Sequence, residues 1–165
     1  MNKERKWAQR FIELADKVAT WSSDPSTKCG AVIVDDDDQT VLAVGYNDLP
    51  RGVSDTPDKW VRPPEGDKYS WVEHGERNAI YNAARQGISV KGATMYLNYA
   101  VECCTDCSRA IIQSGIARVI GPRRPFPGKG KGIAYDCDDT GAELRKRFKV
   151  EHYDVPDDYE WETDQ

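Results

Sequence analysis

The sequence predicts an α/β fold built on a mixed sheet. Two short apolar runs near residues 30–45 flank an acidic turn, which is typical of an antiparallel hairpin. Further along the chain, strand-like and helix-like segments alternate, and this alternation predicts parallel strands joined by right-handed crossovers. At 165 residues the chain is long enough for one domain with a buried core.

The N-terminal segment predicts an amphipathic helix that packs on the core. Its apolar residues recur at steps of three and four and so share one helical face: Trp7, Phe11, Leu14, Ala15, Val18 and Trp21. The run from Ser22 to Pro25 ends this helix. Strands follow at 30–34 and 40–45. The four aspartates at 35–38 between them predict a solvated turn, because the ligand spacing of a calcium loop is absent.

A long segment at 47–70 separates the hairpin from the next regular element. It is rich in Pro, Gly, Asp and Arg and has neither helical nor strand periodicity. Loops of this length inside a compact domain are usually functional or disordered. Because the segment leads into the next helix, we interpret it as a substrate- or effector-binding loop, with a disordered insertion as the alternative.

Helix and strand alternate through the middle of the chain. A helix is predicted over 75–86 with Gly87 as its stop, then a strand at 93–98, a helix at 106–114 and a strand at 117–121. The residues expected on the inner faces of the two helices are Ala79, Ile80, Ala83, Ala84, Ala110, Ile111 and Ser114.

The last part of the chain predicts one more helix and one more strand. Residues 122–139 are basic and glycine-rich, which suits a flexible loop or a loop that wraps a phosphate, although the spacing is not that of a Walker loop. A short helix at 141–148 and an edge strand at 149–153 complete a single domain over 1–153. Residues 154–165 form an acidic tail.

Charge and composition argue against several classes of function. Lys and Arg number 23 against 28 Asp and Glu, a net charge of -5, so no basic face for a polynucleotide is expected. No apolar run suits a signal peptide or a membrane span. Five cysteines, two of them at metal-ligand spacing, fit a reducing compartment, and we expect a cytoplasmic protein with no membrane partner.

Candidate zinc ligands lie between residues 74 and 107. His74 is followed two residues later by Glu76, and Cys104 and Cys107 have the Cys-x-x-Cys spacing. One His and two Cys supply three zinc ligands and leave the fourth position for water, which is the composition of a catalytic zinc site. Glu76 is then free to move protons and does not bind the metal.

A structural zinc finger is the alternative, and it would need a fourth protein ligand. The remaining candidates lack a matching spacing: His152, Cys29, Cys103 and Cys137. The sequence therefore favours the catalytic interpretation. We expect Cys103, which precedes Cys104, to line the pocket or to be a spectator.

Several sequence blocks resemble those of the deoxycytidylate (dCMP) deaminases, in the zinc-dependent cytidine/deoxycytidylate deaminase family. The blocks occur in the family's order over residues 7–121: Asp24 to Val32, Gly45 to Asn47, Pro50 to Gly52, Trp71 to Ile80 and Ser108 to Ile116. The family usually has alanine where Gly75 stands and proline where Cys103 stands. Neither departure removes a ligand or the acid/base, so both concern pocket detail.

The resemblance implies a three-layer α/β/α cytidine-deaminase-like fold with a mixed sheet of about five strands. It implies hydrolytic deamination of dCMP to dUMP and ammonia. The implied roles are zinc ligation by His74, Cys104 and Cys107, proton transfer by Glu76, and substrate contacts from Asn47, Gly75 and Arg85. For Arg85, a surface position that caps the helix end is an open alternative.

The resemblance also implies a regulated homo-oligomer, a hexamer, which dCTP with Mg²⁺ activates and dTTP inhibits. The candidate effector-binding residues are Lys28, Asn47, Pro50, Arg51 and Gly52. Other functions stay open. They are a zinc deaminase that acts on free nucleosides or dCTP, a zinc-stabilised nucleotide-binding module without turnover, and a polynucleotide deaminase, which the acidic charge balance disfavours.

Overall fold

The computed structural model describes residues 3–99, 101–123, 139–155 and 159–160. The strands are β1 (Gly30–Asp35), β2 (Thr40–Tyr46), β3 (Thr94–Leu97), β4 (Arg118–Pro122) and β5 (Lys149–Tyr153). The helices are α1 (Lys3–Ala19), α2 (Lys68–Trp71), α3 (Gly75–Arg85), α4 (Thr105–Ser114) and α5 (Asp139–Arg145), and a 3₁₀ turn spans Pro57–Trp60.

The five strands form one mixed sheet in the order β2-β1-β3-β4-β5. Strand β1 is antiparallel to both β2 and β3, whereas β3, β4 and β5 run parallel. The predicted α/β fold with a hairpin leading into parallel strands is confirmed. Strand β5 lies at the edge, as expected, and β2 is the opposite edge.

Helices cover both faces of the sheet because successive residues of a strand point to opposite sides. Val32 and Val34 of β1 pack with the apolar side of α1. Ala31 and Ile33, the alternate residues of the same strand, pack in a second cluster that includes buried residues of α3 and α4. Both clusters are continuous with β3 and β4, so the result is a three-layer α/β/α arrangement with the sheet in the centre.

The first predicted helix is confirmed, but its last apolar residue was misplaced. Phe11, Ala15 and Val18 are buried as predicted. The helix ends at Ala19, and Trp21 lies beyond it with 54% of its surface exposed. A tight turn after the helix rotates this side chain away from the core. Its ring instead meets Tyr46 edge-on, with 6.0 Å between centroids.

The residues predicted on the inner faces of α3 and α4 are buried or partly buried, except for Ala84. Ala79, Ala83 and Ile111 are fully buried, whereas Ala84 is exposed. Consecutive helical positions differ by about 100°, so Ala84 lies one step outside the buried stripe. Ala110, Ile80 and Ser114 are partly buried. Gly87 follows the C-cap residue Gln86 and has a φ of 70°, in agreement with its predicted role as the stop of α3.

The long segment at 47–70 is more ordered than its composition suggested. It contains the 3₁₀ turn and the start of α2. Its two ends are joined by paired backbone hydrogen bonds between Asp48 and Glu73, at 3.1 and 2.8 Å. This bridge closes the loop immediately before α3 and fixes where that helix begins.

Several predicted features fall wholly or partly outside the described residues. These are most of the basic, glycine-rich segment at 122–139, Cys137, and parts of the acidic tail at 154–165. The helix predicted at 141–148 is α5, which begins and ends slightly earlier, at Asp139 and Arg145. None of the helices in the described ranges is long and apolar enough to cross a membrane.

We expect Gly45→Ala to destabilise the protein by about 3 kcal/mol or more. A Cβ at this position of β2 would lie 2.2 Å from the backbone nitrogen of Ala79 and 2.5 Å from the carbonyl oxygen of Gly75, so α3 would have to move off the sheet. Denaturant unfolding measures the loss. Thr40→Ala, at the exposed start of the same strand, is the control and should change stability by less than about 1 kcal/mol. Equal stability of both variants would mean that α3 does not pack directly on β2.

Candidate metal centre and active site

His74 is held at the N-terminus of α3. It is the N-cap residue, with extended backbone (φ -81°, ψ 153°) and no side-chain capping bond. The preceding residue, Glu73, is fixed by the backbone bridge to Asp48. The imidazole does not cap its own helix, and its Nδ1 instead approaches the sulfurs of Cys104 and Cys107.

Cys104 and Cys107 occupy the first turn of α4. Cys104 is the N-cap residue, and its sulfur accepts the backbone N–H of Cys107 at 3.5 Å. The step of three residues puts both sulfurs on one side of the helix. Two helices that are distant in sequence thus present their N-termini, with their partial positive charge, to the same point.

The imidazole and the two sulfurs form a triangle of metal-binding size. The Nδ1 atom of His74 lies 3.5 Å from the sulfur of Cys104 and 3.5 Å from that of Cys107. Tetrahedral zinc with bonds of about 2.1 Å to nitrogen and 2.3 Å to sulfur would separate these atoms by about 3.6 Å. In the described part of the chain, these three residues are the group that could hold a metal ion.

Without a metal, the two thiols differ in ionisation. The hydrogen bond from Cys107 and the bond to His74 lower the pKa of Cys104 to about 4. Burial raises the pKa of Cys107 well above its usual value. Burial alone would lower the pKa of His74, but the bond to Cys104 and the charge of Glu76 raise it. A metal must therefore displace the proton of Cys107, and that of His74 wherever its raised pKa leaves the imidazole protonated.

Arg77 joins the two helices beside this cluster, and the sequence analysis did not select it. Its guanidinium pairs with Glu73, one turn earlier, and with Asp106 of α4 at 3.2 Å. The charges of the cysteine sulfurs and of Glu73 keep the pKa of Arg77 above its usual value despite its burial. The i, i+4 spacing of Glu73 and Arg77 could have predicted their ion pair. The ion pair with Asp106 joins two separate helices, so the sequence pattern did not predict it.

Glu76 is buried in the first turn of α3, with 2% of its surface exposed. Its Oε2 atom has no hydrogen-bond partner among the described residues. A buried carboxylate oxygen without a donor is costly, so such an oxygen suits a group that bonds to water or substrate. The cysteine and histidine ligands imply a bound zinc ion whose open position carries a water molecule. A carboxylate oxygen without a protein donor suits a hydrogen bond from that water.

Cys103 is buried against Glu76, and its expected role as a pocket-lining or spectator residue stays a prediction. Burial and the nearby Glu76 carboxylate raise the pKa of the Cys103 thiol well above its usual value. Its carbonyl oxygen accepts hydrogen bonds from Arg145 at 2.7 Å and Ser108 at 3.2 Å. The residue is thus a neutral thiol fixed by its backbone beside the carboxylate.

Gly75 lies between His74 and Glu76 and is packed against the sheet. A Cβ there would be 3.0 Å from the carbonyl oxygen of Cys29 and 3.5 Å from the backbone nitrogen of Asn47. As the first residue of α3, Gly75 has a backbone N–H without an intrahelical acceptor. Contact of that N–H with a substrate stays a prediction.

Asn47 lies on the same side of the site, and its side-chain amide is engaged within the protein. Its Oδ1 accepts the backbone N–H of Cys29 at 2.7 Å, and its Nδ2 donates to the carbonyl of Thr27 at 2.8 Å and to Asp24 at 3.0 Å. The residue holds the segment that enters β1. Its direct contact with substrate stays a prediction.

Arg85 is exposed in the last turn of α3, at the opposite end from His74. Ten residues at a rise of 1.5 Å place its backbone about 15 Å along the helix from Gly75. Within one copy of the chain, Arg85 is therefore not beside the metal-binding cluster.

Three of the five candidate effector residues line a cleft beside α3. Pro50, Arg51 and Gly52 face α3 across an opening of about 310 Å³, and the Arg51 guanidinium donates to the Asn82 side chain. Neither Lys28 nor Asn47 lines this cleft. The Lys28 ammonium donates instead to the carbonyl of Ser22.

The same helix closes the free edge of the sheet next to this cleft. Asn78 donates its side-chain amide to the carbonyl of Tyr46 at 2.8 Å, and Asn82 donates to the carbonyl of Val44 at 2.7 Å. These carbonyls belong to the unpaired side of β2. The cleft is therefore lined by side chains with fixed positions.

A His/Cys/Cys triangle at two helix N-termini, next to a buried glutamate with a free oxygen, defines the site class of the zinc-dependent nucleobase deaminases. Comparison with known proteins identifies the family. Residues 5–121 match the sequence model of the "Cytidine and deoxycytidylate deaminase zinc-binding region". The chain therefore belongs to the cytidine and deoxycytidylate deaminase family, a family of zinc-binding enzymes, and the resemblance read from the sequence is confirmed.

Individual relatives give the same result. An "Uncharacterized deaminase in luxG 3'region" of Aliivibrio fischeri is 39% identical over 119 residues, 72% of this chain and 74% of that protein. The deoxycytidylate deaminase of Mus musculus is 39% identical over 117 residues, which cover 69% of this chain but 63% of the mouse protein, less than two thirds of its length. The crystal structure of a cyanophage S-TIM5 dCMP deaminase with dCMP and dUMP shares the fold, with a TM-score of 0.67, 24% identity, and coverage of 92% and 98% of the two chains.

We expect the protein to bind one zinc ion and a Cys104→Ser/Cys107→Ser variant to bind none. At pH 7 binding should release at least about one proton, because Cys107 is neutral without the metal whereas Cys104 is already ionised. Zinc affinity should therefore fall as the pH is lowered. Metal analysis and calorimetry in buffers of different ionisation enthalpy measure both effects.

The control for this experiment is Cys103→Ala, which should keep the full zinc content. Loss of zinc in that variant, or zinc retained by the double variant, would show that other residues are the ligands.

Proposed function

We propose that the protein is a zinc-dependent deaminase that hydrolyses dCMP to dUMP and ammonia. The observation that carries this proposal is the buried Oε2 of Glu76, which has no hydrogen-bond partner in the part of the chain that the structure describes and lies beside the His74, Cys104 and Cys107 cluster. The choice of dCMP is supported by the mouse relative, which is named a deoxycytidylate deaminase, and by the cyanophage protein of the same fold, which was solved with dCMP and dUMP.

Bound zinc would supply hydroxide at neutral pH by lowering the pKa of a water molecule. Glu76 accepts the proton of that water and donates it to N3 of the cytosine ring as oxygen adds to C4. Glu76 then transfers the remaining hydroxyl proton to the amino group, the C4–N4 bond breaks, and ammonia leaves. Its Oε2 gives this carboxylate an acceptor atom to which no described residue donates a hydrogen bond.

Neighbouring residues orient the ring and keep solvent away from Glu76. In this proposal the backbone N–H of Gly75, the first residue of α3, donates to the ring carbonyl. Cys103 and Tyr99 are buried around the carboxylate, with 1% and 4% of their surfaces exposed. A dry, apolar wall strengthens the hydrogen bonds that Glu76 makes with the reacting groups.

Regulation by nucleotides is a second part of the proposal. We assign a nucleoside triphosphate with Mg²⁺ to the cleft of Pro50, Arg51 and Gly52, with dCTP as activator and dTTP as inhibitor. Asn78 and Asn82, which line this cleft, belong to α3, the helix that has His74 and Glu76 at its start. A ligand that shifts this helix would change the geometry of the proton-transferring carboxylate.

The proposed assembly is a homohexamer, and the proposed compartment is the cytoplasm. None of the four cysteines in the described residues forms a disulfide, as a reducing compartment favours. Arg85 lies at the far end of α3, so its proposed contact with substrate would be made in a neighbouring copy of the hexamer. The proposal includes no contact with a polynucleotide or a membrane.

We expect dCMP to be the preferred substrate in a panel with deoxycytidine, CMP, cytidine, dCTP and a cytosine-containing oligonucleotide. Loss of cytosine absorbance measures each rate. Glu76→Gln should keep its zinc and its fold but lose about 10²- to 10⁴-fold in turnover, because the amide cannot accept or return the proton.

Glu65→Gln is the matched control, since Glu65 is an exposed carboxylate in the 47–70 loop. It should retain full turnover. Wild-type levels of activity in Glu76→Gln would remove the proton-transfer role, and turnover of the oligonucleotide alone would replace dCMP as the substrate.

We expect sigmoidal dCMP saturation that dCTP with Mg²⁺ shifts to lower and dTTP to higher substrate concentration, by about 5- to 150-fold in affinity. Arg51→Glu should abolish both shifts, because it places a carboxylate where the triphosphate would bind. The mass of the assembly in solution should be that of six chains. A monomer with hyperbolic kinetics that ignores both triphosphates would contradict the regulatory proposal and leave the deaminase proposal standing.

A further inference from the structure

The segment that leads from β3 into α4 carries a candidate metal ligand but belongs to no helix or strand. Residues 101–104 lie between the two elements, and Cys104 at their end is the N-cap residue of α4. Val101 and Cys103 are each 1% exposed. Buried backbone outside helices and sheets has to find its hydrogen-bond partners elsewhere. Those partners therefore decide where the Cys104 sulfur lies.

Cys103 is held at both of its backbone polar groups. Its N–H donates to the carbonyl of Val101 at 2.8 Å, which is a local bond. Its carbonyl accepts from the Ser108 hydroxyl at 3.2 Å and from Nη1 of Arg145 at 2.7 Å. Ser108 belongs to α4 itself, whereas Arg145 is the last residue of α5 and lies 42 positions further along the chain. Among the described donors to this carbonyl, Arg145 is the one that ties it to another element.

The carbonyl oxygen of Cys103 and the backbone nitrogen of Cys104 share one peptide unit. A peptide unit is planar, so fixing the oxygen also fixes the plane from which the Cys104 side chain projects. Cys104 has an extended backbone (φ -61°, ψ 167°), and its sulfur lies 3.5 Å from Nδ1 of His74. A rotation of this peptide unit would change the separation of the sulfur and the imidazole.

The end of α5 provides a fixed base for the contact from Arg145. Phe148, three residues further on, is 7% exposed and belongs to the same core cluster as Cys107 of α4. The backbone N–H of Lys149 donates to the carbonyl of Ala117 at 2.9 Å. Arg145 itself is half-buried, and a hydrogen bond that is shielded from water is stronger than the same bond on the surface.

We propose that Arg145 is a positioning residue for the metal centre and, through it, for the deaminase reaction. Its guanidinium holds the peptide unit between Cys103 and Cys104, so that the Cys104 sulfur completes the ligand triangle. The part of this inference that concerns turnover rests on the proposed function. A hydrogen bond from a charged donor is stronger than one from a neutral donor. Loss of a residue that orients a metal ligand typically costs about 10- to 100-fold in metal affinity or activity.

The first test measures the metal centre without any substrate. In Arg145→Met, zinc affinity measured by competition with a chelator should fall about 10- to 100-fold. In Co²⁺-substituted protein, the visible bands and the thiolate-to-metal absorption should shift, because the Cys104 sulfur changes its position. Arg145→Lys keeps a charged donor and should recover part of both effects. It also replaces Arg145→Met in the comparison if that variant does not fold.

The second test separates positioning of the metal ligand from binding of the substrate. With zinc in excess, Arg145→Met should lower kcat for dCMP by about 10- to 100-fold and leave KM within about twofold of the wild-type value. A rise in KM with unchanged kcat would show that Arg145 binds the substrate directly, and this result would overturn the inference.

Two control variants lie on the same stretch of chain. Arg147→Met removes an exposed arginine and should change neither the cobalt spectrum nor kcat. Leu144→Ala removes a half-buried side chain of α5 and should lower the free energy of unfolding without shifting the cobalt bands. Equal shifts in Leu144→Ala and Arg145→Met would show that any loosening of α5 disturbs the centre. Unchanged bands and zinc affinity in Arg145→Met would show that its bond to Cys103 has no such role. Both results overturn the inference.

The metal measurements separate failure of this inference from failure of the proposed function. A protein whose zinc affinity depends on Arg145, but which does not turn over dCMP, would overturn the deaminase proposal and keep the positioning role. A protein that deaminates dCMP, with equal zinc affinity and equal kcat in the wild type and in Arg145→Met, would overturn the positioning role alone.

Discussion

The meeting of two helix N-termini at one point is the constraint on which the site depends. His74 lies at the start of α3 and Cys104 at the start of α4, and these helices follow different strands. Parallel pairing of β3 and β4 sets α4 beside α3, and Gly45 allows α3 to touch the sheet directly. Arg77 then fixes the separation of the two helix ends through its carboxylate partners. A metal site with one histidine and two cysteines is the outcome of that geometry.

The fold and the metal-binding residues were predictable because their signals are local. Apolar periodicity located the helices and strands, and the His-x-Glu and Cys-x-x-Cys spacings located the cluster. Burial was harder to predict for residues near the ends of helices. Trp21 and Ala84 were assigned to the interior, but both are exposed. Their exposure is decided by where a helix ends and by how wide its buried stripe is, and the pattern of one segment does not contain that information.

Contacts between distant segments were beyond sequence reasoning for a different reason. Asn47 was singled out through resemblance alone, and the structure adds that its amide organises the chain at Asp24, Thr27 and Cys29. Arg145 carried no signal at all within its short helix. A hydrogen bond between residues 42 positions apart depends on how α5 packs beside α4, which only the folded chain defines.

The capped edge of β2 has a consequence for how copies of the chain can associate. An uncovered edge strand offers its carbonyls to a strand of another molecule, which is a common route to aggregation. Here Asn78 and Asn82 already occupy the carbonyls of Tyr46 and Val44. Extension of the sheet from one molecule to the next is therefore blocked along this stretch, so any contact between copies here has to be made by side chains, whose complementarity limits which surfaces can meet.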